Sequence, residues 1–196
     1  MLIFYHAPQS RSATTLWLLE ELEVPYDIQL VDIRAESGAP ESYRAIQAHK
    51  KVPAIVHDGV AITERAAIAA YLADTYPKAR LAPPVGDPRR GPYLSWLVYV
   101  DAVMDPCFVA KSQGWQYPSL GVSFGLFDDM VRHVESALTD HDYAAGDQFT
   151  AADVSLASAV HWGLNVVPLL PERPVFRTYL ERVQARAGFQ RFIAKS

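Results

Sequence analysis

The chain has 196 residues, half of them hydrophobic and a fifth charged, with a formal net charge of −4. This is the ordinary make-up of a soluble globular protein with one large domain or two small ones. The basic residues come only in short groups, His49-Lys50-Lys51 and Arg89-Arg90, which excludes the broad positive face that a nucleic-acid partner requires. A single cysteine, Cys107, excludes an intrachain disulfide and fits a reducing compartment. The N-terminus lacks the basic and apolar regions of a signal peptide. No run approaches the roughly 18 apolar residues of a membrane span. A cytoplasmic protein with no membrane partner is therefore expected.

Leu2–Tyr5 reads as a buried strand. From Ala13 the apolar positions Ala13, Leu16, Leu19 and Leu22 recur every three residues, with Trp17 beside them, which predicts a helix. The helix stops before Pro25, because a proline disfavours helical geometry in the residue preceding it. Tyr26–Val31 alternates in polarity and predicts a half-buried strand. Pro40-Glu41 opens a short helical stretch to about Ala48. Ala54–His57 and Val60–Ile62 flank Asp58-Gly59, a strong hairpin signal. Thr63 is expected to cap a helix whose face is Ile68, Tyr71, Leu72 and Thr75. The order gives a βαβ unit followed by a hairpin and a helix, hence a mixed four-stranded sheet with helices on its faces. Between Pro77 and Pro92 lie five of the fourteen prolines, a linker pattern. Beyond it only helical patterns remain, over Tyr93–Lys111, Phe124–Leu138, Thr150–Trp162 and Phe176–Arg186. The domains predicted are 1–76, a linker over 77–92 and an all-helical domain over 93–196.

The chemistry is carried by few residues. There is no glycine-rich phosphate loop and no metal-ligand spacing; the six histidines are scattered. Cys107 follows Pro106 in an apolar helix and reads as a small core residue. Ser10-Arg11-Ser12 lies where the first strand turns into the first helix. A helix cap explains such serines. The same place offers free backbone N–H groups and a partial positive charge, so a hydroxyl there can also serve a bound anion or thiolate. Val52-Pro53 opens the hairpin strand. Proline suits a strand start; the sharper reading is a cis peptide bond, which leaves the Val52 N–H and C=O for a peptide-like ligand. Thr63-Glu64-Arg65 reads as a cap with an acid suited to the helix dipole, or as a place where Glu64 binds an amine.

Taken together, F-Y-H-A-P-Q-S-R-S-A-T-T-L-W-L-L-E-E-L, K-K-V-P-A-I-V-H-D-G-V-A-I-T-E-R-A-A-I-A-A-Y-L and D-Q-F-T-A-A-D-V-S-L-A resemble a bacterial, serine-type, cytosolic glutathione S-transferase. The resemblance spans the chain and implies an α/β thioredoxin-like N-terminal domain followed by an all-α C-terminal domain. Thr150-x-x-Asp153, flanked by Phe149 and Val154, matches the family's capping box and staple, a structural motif.

The resemblance also implies a function: glutathione as co-substrate, conjugated to a small hydrophobic electrophile, with no resident cofactor, no metal and a homodimeric assembly. Val52, with Pro53 cis, pairs with the cysteinyl part of glutathione. Glu64 and Arg65 hold the γ-glutamyl end, and Lys51 and His49 face the glycine carboxylate. Ser10 donates to the sulfur and lowers its pKa; Ser12 and Tyr5 are the alternative hydroxyls. The electrophile is expected between the domains, with Met104, Phe108, Trp115 and Tyr117 as wall candidates. Three departures stand out. Arg65 replaces a serine, Glu23 replaces a helix-ending glycine, and Ser10 is not a cysteine, which disfavours disulfide reduction. The alternatives are an inactive binding or regulatory relative and a glutathione-dependent isomerase or dehalogenase.

Overall fold

The computed structural model describes residues 1–196. The chain forms two compact units, Met1–Ala79 with Ala187–Ser196, and Arg80–Arg186. In the first, strands β1 (Leu2–His6), β2 (Asp27–Leu30), β3 (Ala54–His57) and β4 (Val60–Thr63) form one sheet in the order β2-β1-β3-β4. The β1–β2 pair is parallel; the β1–β3 and β3–β4 pairs are antiparallel. This is the expected mixed thioredoxin-like sheet. The hairpin turn has Asp58 at φ 49° and Gly59 at φ 86°, the two positive values that a tight two-residue hairpin requires. Strand β2 is the sheet's edge. All four of its residues are exposed, not half-buried as its alternation predicts, because no element covers that strand.

Helix α1 (Ser12–Leu22) follows β1. Apart from Ala13 and Glu21 all its residues are buried, since it lies between β1, α2 (Arg65–Thr75) and α8 (Ala187–Lys195). Burying a leucine as completely as Leu16 and Leu19 contributes about 2 kcal/mol each. Helix α1 ends at Glu23, whose φ of 55° and ψ of 38° are left-handed, with its N–H donating to the Leu19 carbonyl at 3.1 Å. The position suits glycine, and glutamate occupies it. Helix α2 buries Ile68, Ala69, Leu72 and Ala73. Tyr71 and Thr75, expected on that face, are exposed, because the sheet takes the Ile68–Leu72 side. The short helix after Pro40 is a single 3₁₀ segment, Glu41–Ala45.

Helix α8 returns to the first unit, a placement that the sequence pattern does not signal. Its Gly188 lies so near α1 that an added Cβ would stand 2.4 Å from Glu21 Cδ. Phe189 meets Trp17 edge-on at 5.0 Å. Lys195 donates to the buried Glu20 carboxylate at 2.6 Å, and Arg191 to the Glu20 carbonyl at 2.7 Å.

The second unit is helical: α3 (Arg90–Tyr99), α4 (Asp105–Ser112), α5 (Phe127–Asp140), α6 (Ala151–His161) and α7 (Pro174–Gln184). Helices α3 and α4 are one continuous helix, joined by a π-helical turn over Val100–Met104. Pro106 supplies no N–H to the preceding turn, the recognised cause of such a widening. By length and composition this helix could cross a membrane, unlike anything the sequence pattern predicts. It is a core helix: Tyr93, Leu97, Val100, Met104 and Phe108 are buried against α5 and α6. Phe124 lies outside α5, which begins at Phe127.

Helix α6 starts with the expected capping box. The Asp153 carboxylate is fully buried. It accepts from the N–H groups of Ala144 (2.7 Å) and Thr150 (2.9 Å), and from the hydroxyls of Thr150 (3.2 Å) and Tyr179 (3.0 Å). Burial pushes its pKa up to about 6, opposed by those hydrogen bonds.

Candidate functional site

Strand register brings three separate segments of the first unit to one end of the sheet. Tyr5 faces Ala54 across the β1–β3 pair, and Ala54 faces Thr63 across the β3–β4 pair. So the end of β1, the start of β3 and the end of β4 lie side by side. The segments beyond them are Ala7–Ser12, Val52-Pro53 and Glu64-Arg65. Helices α1 and α2 both start here, and each presents its free N–H groups and positive dipole end.

The Val52–Pro53 bond is cis, as the sharper reading expects. Both residues are buried, and Val52 packs with Ala7, Ala54 and Tyr43. Val52 precedes the ladder, whose pairs begin at Ala54. The loop before it is held by Gln47, a buried amide. Its Oε1 accepts from the N–H groups of His49 (2.7 Å) and Lys51 (3.0 Å), and the Tyr43 hydroxyl donates to the Lys51 carbonyl at 3.1 Å. The side chains of His49 and Lys51 are left exposed. Gln47 is a positioning residue that sequence reasoning missed; a lone glutamine between Ile46 and Ala48 gives no signal.

Thr63 ends β4 and does not cap α2. The cap position belongs to Glu64, at φ 68° and ψ 123°, with no side-chain capping bond. That backbone region is uncommon for a residue with a Cβ, and such outliers gather at binding sites. The Glu64 side chain is exposed; Arg65 is half-buried.

At the head of α1 the two serines differ. Ser12 is fully buried. Its Oγ stands 2.7 Å from His6 Nδ1 and 2.8 Å from Ser10 Oγ. It also accepts from the Ala7 N–H at 3.1 Å, and the Ala7 carbonyl lies at 3.1 Å. Ser10 is half-buried. Its hydroxyl donates to the Ala7 carbonyl at 2.7 Å, and its Oγ accepts from the Ser12 N–H at 3.2 Å. Arg34, after β2, donates to the carbonyls of Pro8 and Gln9, each at 3.0 Å, and so fastens the turn that carries Ser10. Burial lowers the His6 pKa, so the ring is neutral near pH 7. Neither His6 nor Arg34 stands out in the sequence, because the contacts that give them roles are tertiary. Tyr5 points to the other face of the sheet, its ring 5.4 Å from that of Tyr43.

Two of the wall candidates, Met104 and Phe108, are buried inside the second unit and serve as its core. Trp115 and Tyr117 line a surface groove with Lys111 and Phe127. Cys107 is buried, and burial pushes its thiol up to about 11, as befits a core residue. No group of three or more His, Cys, Asp or Glu side chains converges to hold a metal ion.

Two family models match the chain: the glutathione S-transferase N-terminal domain over residues 10–75 and the C-terminal domain over residues 122–182. The chain is 29% identical over 177 residues to glutathione S-transferase 3 of Schizosaccharomyces pombe, covering 78% of this chain and 70% of that protein. It is 27% identical over 198 residues to glutathione S-transferase GstA of Escherichia coli O157:H7, covering 97% and 96%. A glutathione transferase structure from Methylococcus capsulatus superposes with a TM-score of 0.81 at 26% identity, over 100% of this chain and 98% of that one. The sheet, the cis Val52–Pro53 bond, the capping box and these matches agree: the chain belongs to the glutathione S-transferase family.

Proposed function

We propose that this protein is a glutathione transferase that joins the glutathione sulfur to a small hydrophobic electrophile. The observation that carries the reading is the convergence at one sheet end of Ser10, cis Val52-Pro53 and Glu64-Arg65, with two helix N-termini among them. A tripeptide with an extended backbone, two carboxylates and an ammonium group matches these partners. The Val52 backbone pairs with its cysteinyl amide. Glu64 takes the ammonium and Arg65 the neighbouring carboxylate, the latter in the bidentate manner open to a guanidinium. The glycine carboxylate meets the exposed His49 and Lys51. The sulfur lies at Ser10.

The nucleophile is the thiolate. The Ser10 hydroxyl and the N-terminus of α1 stabilise its charge, together lowering the thiol pKa by about one to two units. The thiolate then forms the C–S bond, and the electrophile accepts the displaced electron pair on its leaving group or on an adjacent activated carbon. No resident cofactor or metal enters this chemistry. The active form is a cytoplasmic homodimer.

Thiolate absorbance of bound glutathione across pH tests this. A pKa below that of free glutathione, returned about one unit upward by Ser10→Ala, is the expected result. A bound but unshifted thiol, or an unchanged value in Ser10→Ala, overturns the mechanism and leaves a non-catalytic relative.

A further inference from the structure

The hydroxyl of Ser10 belongs to a buried hydrogen-bond chain, and the chain has a direction. Ser12 Oγ has one proton and two lone pairs, yet four polar partners within 3.1 Å: the Ala7 N–H, the Ala7 carbonyl, His6 Nδ1 and Ser10 Oγ. The Ala7 N–H can only donate, so it fills one lone pair. The neutral imidazole of His6 carries a single N–H, on Nδ1 or on Nε2. Two arrangements follow. With the proton on Nδ1, His6 donates to Ser12, whose proton can go to Ser10 at 2.8 Å or to the Ala7 carbonyl at 3.1 Å. Ser10 already donates to that carbonyl at 2.7 Å, so Ser12 donates to the nearer Ser10, which also accepts from the Ser12 N–H at 3.2 Å. Both Ser10 lone pairs are then occupied, and its own proton is directed away from Ser12. It rests on the Ala7 carbonyl at 2.7 Å until an incoming anion takes it. With the proton on Nε2, Ser12 donates to His6, and Ser10 donates inward to Ser12. Ser10 then has a lone pair to offer and no proton, which repels a thiolate.

We propose that His6 is a positioning residue for glutathione ionisation: as the Nδ1–H tautomer it drives a His6–Ser12–Ser10 relay that leaves the Ser10 hydroxyl only a donor's role toward the sulfur. The inference rests on the reading of Ser10 as thiolate stabiliser. His6 lies inside the fold, packed on Phe4 with ring centroids 5.2 Å apart, and is buried from solvent. It touches no substrate and acts through Ser12. Cooperative polarisation along such a chain strengthens the terminal donor. A buried serine at the middle position is required, because an apolar residue there would break the relay and strand the Ala7 N–H.

The first measurement uses the intact wild-type protein: the ¹⁵N chemical shifts of the His6 imidazole, which distinguish the two neutral tautomers. Protonated Nδ1 is the expected result, and protonated Nε2 overturns the proposal. The second is the pKa of bound glutathione in His6→Phe, His6→Asn and Ser10→Ala. His6→Phe keeps an aromatic ring at the position and removes the donor; it is expected to raise the bound thiol pKa by about one unit, a tenfold loss of thiolate below the pKa. His6→Asn places an amide N–H where Nδ1 stood and is expected to restore most of the lowering. If Ser10→Ala raises the pKa and His6→Phe does not, the relay is wrong and the Ser10 reading stands. If Ser10→Ala has no effect, the Ser10 reading itself fails. Should His6→Phe not fold, the tautomer measurement and His6→Asn decide the matter; an Asn variant that folds and binds with the unrescued pKa counts against the relay.

Discussion

Two helix starts in this molecule use short polar residues, and they use them in opposite ways. At α6, Thr150 and Asp153 turn every polar atom inward: four donors meet one fully buried carboxylate. At α1, Ser12 is as buried as Asp153, but it is hydrogen-bonded to Ser10, which is half-buried at the sheet end where the segments of the candidate site meet. The first start consumes its hydrogen-bonding capacity and gains stability. The second ends on the half-buried hydroxyl of Ser10, which donates to the Ala7 carbonyl at 2.7 Å.

The comparison breaks most visibly at α6. Asp153→Ala leaves the Ala144 and Thr150 N–H groups and the Thr150 hydroxyl in the interior without an acceptor, and Tyr179 with only the residue-153 carbonyl at 3.3 Å; it is expected to cost about 4 kcal/mol of stability in chemical denaturation. In protein that still folds, the pKa of bound glutathione should stay at its wild-type value. The pH dependence of the same group is next in size. Its native pKa of about 6 lies above that of an unfolded aspartate. The stability it contributes is therefore fully present below about pH 4 and is lost as pH rises through 6. Relative to Asp153→Asn, which does not titrate, the wild-type protein should lose about 3 kcal/mol across that window; parallel denaturation midpoints at pH 4 and pH 7 would contradict it.

Ser12→Ala sharpens the contrast from the other side. Removing the hydroxyl strands the Ala7 N–H and is expected to cost about 2 kcal/mol, while also raising the bound thiol pKa. A change in stability with no change in the thiol would make Ser12 a plain structural residue like Thr150. The smallest effect lies at the far end of α1. Glu23→Gly relieves a left-handed backbone and loses an exposed ion pair to Arg191 at 2.6 Å. A net gain of about 0.5 kcal/mol is expected, read as a small upward shift in the denaturation midpoint.

Much of this was legible before any coordinates. The βαβ order, the Asp58-Gly59 hairpin and the Thr150–Asp153 box are local patterns, and local patterns are what periodicity and capping chemistry report. The segments that meet at one sheet end, Ser10, Val52-Pro53 and Glu64-Arg65, were also singled out in the sequence. What was not legible depends on partners far away in the chain. Thr63 looks like the cap of α2, but the strand pairing of Thr63 with Ala54 extends β4 and moves the cap to Glu64. Tyr26–Val31 alternates like a half-buried strand, yet Asp27–Leu30, the edge strand itself, is exposed throughout while Val31 beyond it is buried.

By itself, then, the amino-acid sequence determined the kinds of element, their order and the short motifs that carry the family, because each depends on residues within a few positions of one another. Tertiary structure alone decided which serine is buried and which stays half-buried at the sheet end. It alone brought His6 to Ser12, Arg34 to the turn before Ser10 and Gln47 to the loop before Val52, and it alone returned α8 to the first unit. Those outcomes depend on which donors and acceptors, remote in the chain, come within about 3 Å of one another, and a hydrogen bond exists only at that distance.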